Sequence, residues 1–358
     1  MIHGFIIFWI LTTFLIMPEG AISDNKNILA VSGNQILYKG NPIKLIGLRC
    51  SNALVSDKTT DDLVSSLDLY KSYGINTLSI YIMGSRFGDV AGYLPDGSLD
   101  PAYSKRLERI LLSTGEKEMI VIVGCLYWGT SNAKKELEFW DRKHAETAIK
   151  NTARWLMKKK FGHVILDPDN EGMAVSEKGW DIGSLIRAAK EAHPDLLIAN
   201  NTKQDPANED LNLHFGNREE GKPYIDSEST PDTTTPGGYW GAFSKETHQS
   251  DPSFHNYSRI GRYTVEMKEE QIKKTLHEVH RYNGILLAST WIQCGPSEGI
   301  HGPFTAPGGH SDLGSGKDGD TAWNWEIDVL HPDAGIRWWL EFIRDTYGPW
   351  KGSISGSD

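Results

Sequence analysis

Apolar positions along this chain recur with two different periods, and the change comes at Ile43. From Asn27 to Lys44 apolar and polar residues alternate around two turn signals, Gly33-Asn34 and Gly40-Asn41, which predicts a β-hairpin. Such a hairpin can plug the bottom of a barrel. Beyond it, short β-rich runs alternate with amphipathic helices. Strands are predicted at Ile43 to Leu48, Asn76 to Met83, Met119 to Cys125 and His163 to Leu166. Helices are predicted between them at Thr60 to Tyr73, with Leu63, Leu67 and Tyr70 on one face, at Pro101 to Leu112, and at Lys143 to Lys160, with Ala148, Ile149, Thr152 and Leu156 inward. Fully apolar strands separated by helices imply a parallel sheet covered on its outer side.

The regularity thins after the fourth strand. A helix at Trp180 to Ala192 leads to a strand at Leu196 to Ala199. Only short polar stretches then separate Leu211 to His214 and Pro223 to Asp226, so full helices do not fit in either gap. The pattern recovers with a helix at Met267 to Tyr282, carrying Ile272, Leu276 and Val279, a strand at Gly284 to Trp291 and a last helix at Ala334 to Tyr347. Eight strands result, with helices reduced after the fifth and sixth. The expected fold is therefore α/β, an eight-stranded (β/α)8 TIM barrel with an N-terminal hairpin. The alternative is an open doubly wound sheet. Against it, Arg49, Cys50 and Ser51 follow the first strand where that fold carries a Gly-rich phosphate loop.

Composition removes whole classes of function. Among 358 residues the formal net charge is -10 and no long Lys/Arg run occurs, so phosphate backbones would be repelled and nucleic acid is not an expected partner. The 12 Trp are an excess that needs a location. Met1 to Ser23 holds an apolar run from Gly4 to Met17 and small residues at Ala21 and Ser23, the pattern of a secretory signal peptide cleaved before Asp24. The run is shorter than the ~20 residues a spanning helix needs. The expectation is an exported protein, secreted or periplasmic, with residues 24–358 forming one catalytic barrel and no membrane attachment after cleavage. Cys50, Cys125 and Cys294 are widely spaced and match neither a disulfide framework nor a zinc site.

Catalytic groups of such barrels stand at the C-terminal ends of strands. The fourth strand ends in Asp167-Pro168-Asp169-Asn170-Glu171-Gly172, and the seventh in Asp226-Ser227-Glu228-Ser229. Two carboxylates across one barrel mouth are what glycoside hydrolysis requires: one held protonated to donate to the leaving oxygen, one ionised to attack the anomeric carbon. Within these segments Asp226 competes with Glu228 as nucleophile, since residues two apart on a strand point the same way, and Asp167 and Asp169 compete as acid. His214 and Trp291 lie at two further strand ends.

Asn170-Glu171 after strand four, Glu228 at the end of strand seven and Trp291 at the end of strand eight resemble the retaining (β/α)8-barrel glycoside hydrolase clan, which includes cellulases, mannanases, xylanases and agarases. The opening hairpin followed by Ile46-Gly47-Leu48-Arg49-Cys50-Ser51-Asn52 is also similar to cellulase-like members. The resemblance implies Glu171 as acid/base, Glu228 as nucleophile, Asn170 as donor to the sugar 2-hydroxyl and Trp291 as floor of the cleavage subsite. His214, Arg49, Tyr81, Trp128 and Trp240 are further expected substrate contacts. The chain departs from the clan where His214 is followed by Phe215 rather than by a nearby Tyr. Strand two lacks the usual Arg, a place Arg49 or Arg86 would have to fill. A divergent member is expected.

Trp128, Trp240, Trp323 and Trp325 fall in predicted loops over the mouth, where indole rings could stack on sugars or cap the core. The loop from Gly308 to Asp320 carries Asp312, Asp318 and Asp320 without EF-hand spacing. Asn200-Asn201-Thr202 and Asn256-Tyr257-Ser258 fit the glycosylation pattern. The expected activity is hydrolysis of β-glycosidic bonds in a polysaccharide or oligosaccharide, internally, with no cofactor and no metal. The rival readings are an inverting or exo-acting glycosidase and a catalytically inactive glycan-binding barrel.

Overall fold

The computed structural model describes residues 28–51, 53–85, 88–128, 133–219, 221–229, 265–287, 323–324, 329–330 and 337–352. The leader, Arg86, Trp240, Trp291, Cys294, Trp325, the second glycosylation pattern, the Gly308 to Asp320 loop and the side chain of Trp323 lie outside what is described.

The chain opens with an antiparallel sheet of β1 (Leu29–Ser32), β2 (Gln35–Tyr38) and β3 (Asn41–Ile43). The second turn falls on Lys39-Gly40, one residue earlier than expected. Both have positive φ, 49° and 81°, as a two-residue hairpin turn of matching twist needs.

Strands and helices then alternate as β4 (Leu45–Arg49), α1 (Asp57–Ser72), β5 (Thr77–Tyr81), a β6 (Met83–Ser85) and β7 (Gly88–Ala91) ribbon, α2 (Pro101–Glu116), β8 (Ile120–Leu126), α3 (Arg142–Lys159) and β9 (Val164–Asp169). There follow α4 (Met173–Lys178), α5 (Ile182–Ala192), β10 (Leu197–Asn200), β11 (Leu211–Leu213), β12 (Tyr224–Ser229), α6 (Val265–Arg281), β13 (Gly284–Leu287) and α7 (Arg337–Tyr347). Strands β4, β5, β8, β9, β10, β11, β12 and β13 are the eight staves of a closed parallel barrel. No helix separates β10 from β11 or β11 from β12, as the short gaps required.

Helix starts are set by short polar side chains. Ser56, Asp100, Asp141 and Asp181 each accept a bond from a first-turn amide of α1, α2, α3 and α5. These amides have no partner inside the helix. Two apolar layers result. The outer one packs helices on the barrel and includes Leu63, Leu67, Tyr70, Ala148, Ile149 and Leu156. The inner one fills the barrel with Ile120, Ile122, Ile165, Leu211 and Ile225, and Leu29, Ile36 and Tyr38 of the N-terminal sheet close it from below.

Two apolar expectations fail. On α6 the stripe Ile272, Leu276, Val279 faces in only at Val279, which is buried: Ile272 is half-buried and Leu276 43% exposed, while Gln271, Thr275 and Glu278 are buried. The helix is rotated because those polar groups have partners waiting, Ser229 Oγ for Gln271, Trp339 Nε1 for Thr275 and Arg218 for Glu278. Trp128 does not face the mouth. It is fully buried among Trp140 and Trp180, and its Nε1–H donates to Glu177 at 2.9 Å. Trp140, Trp180 and Trp339 are buried as well, so much of the Trp excess is core. Cys50 and Cys125 are buried free thiols, and burial pushes Cys125 up to about 12.

Candidate active site

The β9 strand ends in two left-handed residues, Glu171 at φ 55° and Gly172 at φ 66°, which throw the chain off the barrel into α4. A non-glycine residue held there costs roughly 1–3 kcal/mol. The other strained residue at the mouth is His214, at φ 26° directly after β11. Glu171, His214 and Glu228 converge: one ligand-type atom from each lies within 4.8 Å of the others. Among the described residues this is the grouping whose atoms could approach a metal ion. Arg49, however, already supplies a positive charge to Glu228, and that opposes a divalent cation.

Glu228 reaches the centre because β12 carries an extra residue. Asp226 pairs with Ile285 and Ser229 with Leu287, so three steps on β12 match two on β13. Such a bulge reverses which side the following side chains take. The expectation that Asp226 and Glu228 point the same way is therefore corrected. Glu228 turns in to an ion pair with Arg49, both side chains fully buried. Asp226 turns out, 3.6 Å from Lys274 Nζ on α6, and shares a 3.3 Å hydrogen bond with His214 Nδ1.

Arg49 is the hub of the floor. Its Nη2 donates to Asn170 Oδ1 at 3.1 Å and its Nε to Ser51 Oγ at 3.3 Å, and its guanidinium lies 4.6 Å from the Tyr81 ring centroid and 5.4 Å from that of Tyr127. Tyr81 does not reach the surface: it is buried under Arg49, and its hydroxyl donates to Asn170 Oδ1 at 3.1 Å. Gly124 clears its place, since a Cβ there would stand 2.3 Å from the ring. Asn170 Oδ1 also accepts from Asn201, which leaves its Nδ2 to donate to Glu171 Oε1 at 3.3 Å. The three donors settle which way the amide points.

Burial pushes the Glu228 carboxyl well above the usual carboxylate range, and the Arg49 charge opposes this. Burial would also raise Asp226, but the His214 hydrogen bond with the Lys274 and Arg218 charges holds it down at about 2. Burial lifts Asp167 to about 6 against an Asn201 hydrogen bond, and Asp169 to about 8 against amide bonds from Val175 and Ala174. Those two amides occupy both Asp169 oxygens, which makes it the anchor of α4.

Sequence reasoning missed Asn201, Tyr127 and Lys274. Asn201 stood inside a glycosylation pattern, yet the acceptor Asn200 is 1% exposed and bonded to Gln204 and Asn212, so the folded protein offers no attachment point there. Its place just past the fifth barrel strand was the usable signal. Arg49, expected to contact substrate, is committed to Glu228. Lys203 sits on the rim, 5.2 Å from the Phe215 ring, which packs edge-on against His214.

No family model matches the sequence, and no curated protein matches it. Solved structures share its fold. They include a glycoside hydrolase (TM-score 0.54, 14% identity, covering 77% of this chain and 69% of that one) and a family 5 glycoside hydrolase from Bacteroides vulgatus (0.53, 15%, 76% and 65%). A family 5 mannosidase from Rhizomucor miehei also matches (0.51, 11%, 89% and 97%). The chain spans about two thirds of the length of the first two. At these identities the likeness is one of fold alone, the (β/α)8 barrel.

Proposed function

We propose that this protein is an exported retaining glycoside hydrolase that cuts internal β-glycosidic bonds of a polysaccharide by double displacement. The observation that carries the reading is the meeting of Glu171 and Glu228, from β9 and β12, with Arg49 against Glu228. A closest approach within 4.8 Å between one atom of each group lies nearer the ~5–5.5 Å carboxyl separation of retaining enzymes than the ~6.5–9.5 Å of inverting ones, which supports retention.

Double displacement requires Glu228 ionised, and the Arg49 guanidinium in contact with it opposes the burial that pushes its carboxyl up. Glu171, the half-exposed member of the pair, takes the acid/base role. Glu228 then attacks the anomeric carbon while Glu171 protonates the departing oxygen. In the second step Glu171 takes a proton from water, whose oxygen displaces Glu228. Asn170, fixed by Arg49, Tyr81 and Asn201, presents its Nδ2 beside Glu171, and His214 stands next to both carboxylates. Fold neighbours named as glycoside hydrolases and a mannosidase support the reaction class. The apolar run from Gly4 to Met17 supports export. The long segments following β12 and β13, which would carry Trp240 and Trp291, support an extended cleft.

Reducing-end release across plant and algal β-glycans, with product sizes and anomeric configuration followed by NMR, tests this. Retained configuration, internal cutting and loss of turnover in both Glu171→Gln and Glu228→Gln are expected. Inverted product removes the nucleophile role, and no hydrolysis by the unaltered chain across the panel removes the reading.

A further inference from the structure

The bulge that turns Glu228 inward is gripped from outside the barrel. Gln271 and Lys274 stand three apart on α6 and so share a face. Their partners on β12 are also three apart and flank the extra residue: Gln271 Nε2 donates to Ser229 Oγ at 2.9 Å, and Lys274 Nζ lies 3.6 Å from Asp226 Oδ2. Gln271, Asp226 and Ser229 are all buried. Asp226 passes the constraint on, accepting a bond from the Glu228 amide at 3.4 Å and sharing the 3.3 Å bond with His214. One helix face thus holds both ends of the irregular segment and, through Asp226, the imidazole beside the two catalytic carboxylates.

We propose that Lys274 and Gln271 are positioning residues of the catalytic site, forming a clamp that keeps Asp226 turned out to His214 and Glu228 turned in. The inference rests on the proposed hydrolase reading. A polar inner face on a barrel helix otherwise wastes apolar burial, and here it trades that burial for direction. Releasing either end lets the extra residue migrate along β12, and a one-residue shift carries Glu228 to the opposite side of the strand.

The test uses aryl β-glycosides of the sugar released in the panel above, with good and poor leaving groups, on the full chain. Lys274→Met and Gln271→Leu should each lower kcat/KM for both leaving-group classes alike, by about a hundredfold, the scale on which a displaced reacting group loses rate. Lys274→Arg should restore most of it. Thermal unfolding run in parallel corrects for folded fraction, and should Lys274→Met not fold, Gln271→Leu carries the same test. Variants with kcat/KM within about twofold of the unaltered chain, whatever their stability, overturn the clamp alone. A loss confined to poor leaving groups assigns the effect to the acid and overturns it too. No turnover by the unaltered chain overturns the hydrolase reading and this inference with it.

Discussion

Replacing Arg49 with Met removes the cation in contact with Glu228 while keeping an apolar stem of similar length. Both side chains are fully buried, so water does not substitute for the lost charge. A pair within 4 Å at an effective dielectric of about 20 interacts by about 4 kcal/mol, or about three pH units of carboxyl ionisation. Burial already pushes Glu228 upward, with Arg49 opposing it. The ionised form is the nucleophile, so the acidic limb of kcat/KM should move up by as much as about three units. Near pH 5 the loss should reach about a thousandfold and should shrink as pH rises. Stability follows the same sign. A carboxyl whose folded pKa lies above its unfolded value stabilises the fold at low pH and loses that contribution as pH rises through the folded pKa. The variant's deficit should therefore be smallest near pH 4 and grow towards neutrality, to about 3–5 kcal/mol if the charge stays buried and unpaired. A pH–rate profile and urea unfolding at several pH values measure both. An unmoved acidic limb with a pH-independent deficit would refute the assignment of Arg49 to Glu228.

Other perturbations probe separate parts of the structure. Asp226 is held at about 2 against an ordinary 3.8, so it contributes about 2 kcal/mol above pH 4 that is lost as pH falls towards 2; Asp226→Asn should flatten acid unfolding in that window. Trp128→Phe should lower stability by about 1–3 kcal/mol, chiefly through lost packing among Trp140 and Trp180, since Glu177 keeps its Lys134 partner, and leave KM for a glycan unchanged. A raised KM would instead return Trp128 to the cleft. Gly124→Ala places a methyl 2.3 Å from the Tyr81 ring, and should lower kcat/KM more than its melting temperature suggests by disturbing Arg49 and Asn170. Wild-type kinetics in that variant would show that Tyr81 is not part of the support.

Much of the fold was legible because parallel strands buried on both faces read as unbroken apolar runs, as at Met119 to Cys125. Glu171 and Glu228 were legible because strand ends at one barrel mouth are the places to look. The rivalry between Asp226 and Glu228 was not, since strict alternation puts them on one side and the bulge appears only when β12 is paired against β13. The rotation of α6 was hidden for a similar reason: Leu276 looks inward until Ser229, Trp339 and Arg218 are in place to receive its polar neighbours. Trp128 read equally as platform or core until Trp140 and Trp180 closed around it.

The alternation of apolar runs and amphipathic helices by itself determined an eight-stranded parallel barrel with carboxylates at its mouth, because burial pattern and chain spacing are local properties. Only the tertiary structure decided which carboxylate faces the centre, that Arg49 from the first barrel strand meets it, and that a polar helix face holds it there. Those outcomes depend on register and on partners roughly 45 to 180 residues away in the chain, and a side chain's direction is not settled until its neighbours across the sheet are.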